Sequence, residues 1–189
     1  MKSSLRVTLF TLLLSLPLTS ALAGEYADTK QMFENAGISN MFKTAHGYAL
    51  FPTIGKGGMG IGGAHGAGQV YAKGQHVGDT KMTQLTIGFQ LGGQAYSQVI
   101  FFEDKRAFED FTSGNFEFGA QATAVAITAA VGAQANTGGG AQAGASGGKN
   151  DAGTVSGGYR KGMAIFTVAK GGLMYEATLG GQKYSYSPK

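Results

Sequence analysis

The sequence has no cysteine, no tryptophan, only 3 prolines and only 14% charged residues among its 189 positions. Without cysteine there are no disulfide staples, no thiol nucleophiles and no cysteine metal centres, so packing has to hold the fold together. The same absence removes the residue that would carry a lipoprotein's acyl anchor. Charge is sparse and nearly balanced, with 15 basic and 11 acidic residues, which is too small an excess for a nucleic-acid footprint. The apolar stretch Val7–Leu16 is too short to span a bilayer.

That stretch has another meaning. Lys2 and Arg6 lead into it, Pro17 follows it, and Ala21-Leu22-Ala23 supplies the small-x-small pattern that signal peptidase accepts. Residues 1–23 are therefore expected to form a cleavable secretory signal peptide, with the mature chain starting at Gly24. Its loss would leave 166 residues carrying 13 basic and 11 acidic side chains, a size suited to one domain over 24–189. The expected location is periplasmic or secreted, in the cell envelope.

What the sequence has in excess is glycine, 33 residues, where about 7% of positions would be usual. The glycines fall into two classes. Residues 138–153, GGGAQAGASGGKNDAG, hold nothing apolar larger than alanine and read as a flexible loop. From Gly58 to Tyr71, glycine or alanine instead fills nearly every even position, while Met59, Ile61, His65, Gln69 and Tyr71 take odd ones. Period two means a strand, and a strand face without side chains admits another backbone or a ligand.

Elsewhere Asp28 and Ser39 can each cap a short N-terminal helix. Tyr48–Phe51 reads as an apolar strand stopped by Pro52. A turn follows around Gly74–Asp79, and Leu85–Phe102 alternates as a long ribbon bent at Gly92-Gly93. Asp104 can cap a helix over Lys105–Phe111 whose i,i+4 pairs are Lys105 with Glu109 and Arg106 with Asp110. The alanine-rich segment 119–135 fits strand or helix, with its alternation favouring strand. Two more strands are expected near Thr154–Val168 and Gly172–Tyr186. The fold class is α+β: a mostly antiparallel sheet, curved or barrel-like, with short N-terminal helices and one helix near 104–113.

No motif points to catalysis. Gly58–Gly63 satisfies GxGxxG but continues a strand, whereas a dinucleotide fingerprint must open a helix. Gly144–Gly148 satisfies GxSxG inside the loop, with no apolar strand before it. His46, His65 and His76 lack metal-ligand spacing, and no cofactor is implied. An eight-stranded outer-membrane barrel fits the length, but the expected helices and the lack of aromatic girdles argue against it.

One internal echo suggests a site. Gly47–Phe51 followed by Lys56-Gly57-Gly58 recurs as Gly162–Phe166 followed by Lys170-Gly171-Gly172, with one residue fewer between. A Lys-Gly-Gly turn sets an ammonium beside open backbone amides, which suits an anionic group; a hairpin turn with a solvated lysine is the plain alternative. Arg160 and Lys161 complete the candidate head-group set of Lys56, Gly57, Gly58, Lys170, Gly171, Gly172, Arg160 and Lys161.

The runs HGYALFPTIGKGGMGIGGAHGAGQVY, TIGFQLGGQAYSQVIFFEDKRAFEDFTSGNFEFGA and AIFTVAKGGLMYEATLGGQKYSY resemble the bacterial branch of the SYLF domain family, over nearly the whole mature chain. The resemblance implies a non-catalytic lipid-binding module of short helices and extended sheet. Eukaryotic members are described as binding phosphoinositides, and a yeast relative as binding actin filaments. The expected function is binding of a lipid or membrane surface through anionic head groups. The alternative is a structural or stress-related envelope protein acting through protein contacts.

Overall fold

The computed structural model describes residues 18–88, 93–119, 124–127, 158–170 and 179–189. Helix α1 (Leu18–Phe33) passes into a π turn (Glu34–Ile38) and then into α2 (Ser39–Thr44). Gly37 breaks the run with φ of 93°, a left-handed conformation that side chains disfavour. Asp28 is not a cap: α1 starts ten residues earlier, at Leu18, and leaves Asp28 exposed in its interior. Ser39 opens α2, but Ile38 holds the cap position and makes no side-chain bond there.

Strand β1 (Gly47–Ala72) is 26 residues long. At about 3.3 Å per residue it would stretch roughly 85 Å, several times the roughly 15 Å radius of gyration of a domain this size. It therefore folds back on itself. A Cβ on Gly66 would lie 2.5 Å from Ile54 Cγ1, and one on Gly68 would lie 2.6 Å from the Phe51 ring and 2.8 Å from the Leu50 carbonyl oxygen. At Gly66 and Gly68 the side-chain-poor face of β1 is thus filled by the same strand's N-terminal half, a neighbouring segment of the chain and not a ligand; farther along that face Gly58 is exposed.

Strand β2 (Gln75–Gly88) pairs antiparallel with the second half of β1, from Ala72↔Gln75 to Gly60↔Gly88. Lys73 (φ 51°) and Gly74 (φ 77°) make the two-residue turn between them, with the positive φ values a tight hairpin requires. Strand β3 (Gln94–Phe102) pairs with the first half, from Lys56↔Gln94 to Gly47↔Phe102. The expected ribbon Leu85–Phe102 is thus two strands, and Gly92 lies outside the described residues. Pro52 does not end its strand. It sits in the irregularity between Phe51 and Ile54, where a missing N–H breaks no ladder bond, and its carbonyl accepts from Ser97 Oγ at 2.7 Å.

Helix α3 (Lys105–Thr112) follows, then the short β4 (Phe116–Glu117) and β5 (Val125–Ala126), and finally β6 (Met163–Lys170) and β7 (Gln182–Pro188). The sheet order is β4-β7-β2-β1-β3-β6-β5. All pairs are antiparallel except β5 with β6, and the sheet curls into a half-barrel. Strand β6 begins later than expected because Tyr159–Gly162 is a turn, with Lys161 at φ 53° and Gly162 at φ 79°. In the alanine-rich segment, Val125–Ala126 is strand, while residues 120–123 and 128–135, with 138–153, lie outside the described residues.

Both faces of β3 are covered. Val99 and Phe101 join Leu50, Phe166 and Val168 beneath Phe33, Ala36 and Ile38 of the helical segment. Ile100 and Phe102 turn into the curl with Phe51, Ile54, Met82, Phe111 and Tyr184. A polar relay crosses that interior: Gln98 Nε2 donates to Tyr184 Oη at 2.7 Å, and Tyr184 Oη donates to Gln182 Oε1 at 2.5 Å. Gln182 Nε2 in turn donates to Tyr96 Oη at 3.2 Å. Burial pushes the Tyr184 and Tyr96 phenols above their ordinary range, so both stay protonated donors at neutral pH.

Candidate functional site

The expected helix after Asp104 forms as read. Asp104 Oδ1 accepts from Ala107 N at 2.8 Å, Lys105 reaches Glu109 at 2.8 Å, and Arg106 reaches Asp110 at 3.4 Å. The helix buries Ala107 and Phe111 and turns Arg106 and Asp110 outward. The Tyr159–Gly162 turn docks on it. A Cβ at Gly162 would meet Arg106 Nη2 at 2.8 Å and the Ala107 methyl at 3.0 Å, so this close approach needs glycine. Beside the turn, Phe116 and Phe118 continue an aromatic series, with ring centroids 5.5 Å from Phe111 to Phe116 and 4.9 Å from Phe116 to Phe118.

Between these elements lies a cleft of about 540 Å³, within the roughly 300–1,000 Å³ of small-molecule sites. Phe116, Phe118, Met163 and Ile165 give it an apolar floor, and Arg106, Asp110, Glu117, Arg160 and Lys161 edge it. Most of these charges are already used. Arg106 lies 3.7 Å from Asp104 and 3.4 Å from Asp110, and Glu117 lies 3.5 Å from Lys183. Arg160 and Lys161, both exposed, have no ion-pair partner among the described residues. The arrangement is an apolar trough edged by two cations that have no ion-pair partner among the described residues.

The candidate residues therefore separate into two places. Arg160 and Lys161 edge the cleft at the turn before β6, while Lys170 ends that strand, seven residues or at most roughly 23 Å beyond Met163 at about 3.3 Å per residue. Lys170 donates to Thr53 Oγ1 at 2.9 Å and lies 3.9 Å from Glu25. Lys56 and Lys170 do meet the same end of β3, opposite Gln94 and Ala95. Neighbouring positions on a strand face opposite ways, so the two lysines lie on opposite faces of the sheet. Gly57 and Gly58 lie in β1, Gly58 with φ of 144°; Gly171 and Gly172 lie outside the described residues.

The echo itself is real in space, since β1 and β6 flank β3. Its copies are staggered by one residue: Ala49 sits opposite Ile100, and its counterpart Ala164 sits opposite Phe101. Equivalent residues therefore face opposite ways all along, and the additional residue of the first copy is taken up by the bulge at Pro52. Sequence reasoning missed Arg106 and the floor residues. The pattern Phe116-Glu117-Phe118 was the available signal, an alternation too short to read as a strand.

Of the histidines, His46 packs edge-on to Phe108 at 5.7 Å between centroids, His76 Nε2 lies 3.0 Å from Asp79, and His65 is exposed on β1. Gly58–Gly63 lies within β1 and opens no helix. The GxSxG run lies outside the described residues.

The family model described as "Ysc84: Las17-binding protein actin regulator" matches residues 83–187, more than half of the chain. The chain belongs to the SYLF (Ysc84) family. It is also similar to Beta cell expansion factor A of Aeromonas veronii, 31% identical over 153 residues that cover 80% of this chain and 49% of that protein. The chain thus spans about half the length of this curated relative. The matched SYLF region contains α3, β4, β6 and every residue of the cleft, as well as Lys170. Lys56, Gly57 and Gly58 precede it.

Proposed function

We propose that the chain is an exported, non-catalytic SYLF module that binds a lipid or membrane surface in the periplasm or outside the cell, meeting anionic head groups with basic side chains. The observation that carries this reading is the cleft, where Arg160 and Lys161 stand without an ion-pair partner among the described residues beside a half-buried apolar floor. Uncompensated cations next to hydrophobic area fit an interface that is anionic outside and apolar beneath. The family's description names an actin regulator and a Las17-binding protein. An exported chain would meet neither actin nor a cytoplasmic partner, whereas lipid is present at every envelope surface.

Vesicle co-sedimentation tests the reading. The purified chain should pellet with anionic vesicles and much less with zwitterionic ones, and added salt should weaken the binding. Arg160→Glu with Lys161→Glu should reduce pelleting more than Lys56→Glu with Lys170→Glu, because Lys170 already has Glu25 and Thr53 as partners. Equal pelleting with both vesicle types would remove the head-group claim. A second reading, a structural or stress-related protein that acts through protein contacts, is favoured by Leu85. This residue is 80% exposed on β2 and presents apolar surface where a strand normally shows polar residues. Cross-linking in intact cells that captures one protein partner through position 85, with no lipid retained on purification, would favour it.

A further inference from the structure

We infer that the cleft receives the single chain of an anionic amphiphile, such as a fatty acid, with its carboxylate at Arg160 and Lys161. This rests on the lipid-binding reading and narrows it from contact with a surface to uptake of one molecule. Among the described residues the sheet does not close over the cleft. Strand β4, at one end of the strand order, is only two residues long, and β6 is next to last at the other end. The curl leaves the trough between them with α3 as a wall, and no described strand covers it.

Three features choose the occupant. First, Phe116 and Ile165 remain half-buried although Phe118 and Met163 beside them are buried, so an alkyl chain laid along the floor removes apolar surface from water. Second, among the described residues that line the cleft, the cations without an ion-pair partner are Arg160 and Lys161 of the Tyr159–Gly162 turn. Arg106 is outnumbered by Asp104 and Asp110, and Glu117 is paired with Lys183, so the acidic head belongs at Arg160 and Lys161 and the chain runs away from them. Third, the volume of about 540 Å³ suits one small ligand, and an extended anionic peptide would place further charge over the phenylalanines at a desolvation cost.

The test uses the full mature chain and cis-parinaric acid, a fluorescent fatty acid, below its aggregation concentration and without vesicles. The expected result is saturable binding at one molecule per chain, displaced by dodecanoate and not by acetate or inorganic phosphate. Arg160→Glu with Lys161→Glu should weaken it by about tenfold or more, as expected for loss of charge-assisted hydrogen bonds to the head group. Gly119→Phe provides an independent block. Gly119 edges the cleft, is exposed, and a Cβ there meets nothing within 4 Å, so a bulky ring can be added at the trough's edge without a clash with the core. It should abolish parinarate binding at an unchanged melting temperature.

Vesicle pelleting without parinarate saturation would overturn the inference and leave the surface reading standing; loss of both would remove both. Binding unaffected by Gly119→Phe, or displaced by phosphate alone, would also overturn it, the latter pointing to a simple anion site.

Discussion

Replacing Gly68 by alanine adds one methyl group, and the folded-back β1 leaves no room for it. The methyl carbon would lie 2.6 and 2.7 Å from two atoms of the Phe51 ring and 2.8 Å from the Leu50 carbonyl oxygen. Phe51 is fully buried and fixed against Tyr184, with ring centroids 5.6 Å apart, and the carbonyl oxygen belongs to backbone held in the β3 ladder. Neither neighbour can swing aside, so the cost falls toward the upper part of the range for overpacking, about 2–3 kcal/mol. For a chain of this size that is a drop in melting temperature of roughly 4–12 °C.

The control is Gly55→Ala in the same strand, where a Cβ meets nothing within 4 Å. Loss of glycine's unfolded-state freedom should make that change neutral or stabilising by about 0.4–1 kcal/mol. Urea denaturation of both variants gives the comparison. Because Gly68 and Phe51 share the clash, Gly68→Ala with Phe51→Leu should cost less than the sum of the two single changes. If Gly68→Ala and Gly55→Ala agreed within about 0.5 kcal/mol, the strand would not fold onto itself as described.

Alkaline pH should unfold the protein through its buried phenols. Tyr26 and Tyr48 are pushed up to about 12, chiefly by burial, against about 10 in an unfolded chain. Their contribution is therefore complete below about pH 10 and is lost as pH rises toward 12; the urea midpoint should stay flat and then fall across that window, with tyrosinate absorbance rising alongside it. Full tyrosinate absorbance near pH 10 with intact circular dichroism would contradict this. Tyr184→Phe should cost about 1–3 kcal/mol because it removes both hydrogen bonds of the buried hydroxyl that joins Gln98 Nε2 to Gln182 Oε1 and leaves that pair only its direct 3.3 Å bond, whereas Gln98→Met, which leaves the Tyr184–Gln182 bond intact, should cost less; the two urea midpoints decide. Fractionation of expressing cells should release the chain from the envelope with Gly24 as its first residue by mass spectrometry, and a cytoplasmic chain retaining Met1–Ala23 would remove the export proposal.

What could be read in the sequence was whatever repeats at short range. Alternation around Gly58–Tyr71 gave a strand, and the spacing from Asp104 to Asp110 gave a capped helix with its two ion pairs, because both patterns act between residues a few positions apart. The copies Gly47–Phe51 and Gly162–Phe166 were recognisable as related units, and they do flank β3. Period two could not say which backbone would fill the glycine face, since Phe51 and Gly68 meet only after the strand bends. The cleft was invisible for the same reason: Arg106, Phe116 and Arg160 come together only through the curl of the sheet. The opposite facing of Lys56 and Lys170 comes from the one-residue stagger of the two copies against β3, which no local pattern carries; the sequence showed only the one-residue difference in spacing. Its meaning depended on the bulge at Pro52, and a proline at that point reads as a strand end.

The tight Lys73-Gly74 turn also orders the assembly of the sheet. From that turn the β1–β2 ladder can grow one pair at a time, each pair closing a loop only slightly larger than the one before. The fold-back of β1 and the attachment of β6 and β7 need partners far along the chain and must wait for that ladder. Changes near the turn should therefore slow folding, while changes at Gly47 or Phe102, where the ribbon closes last, should mainly hasten unfolding.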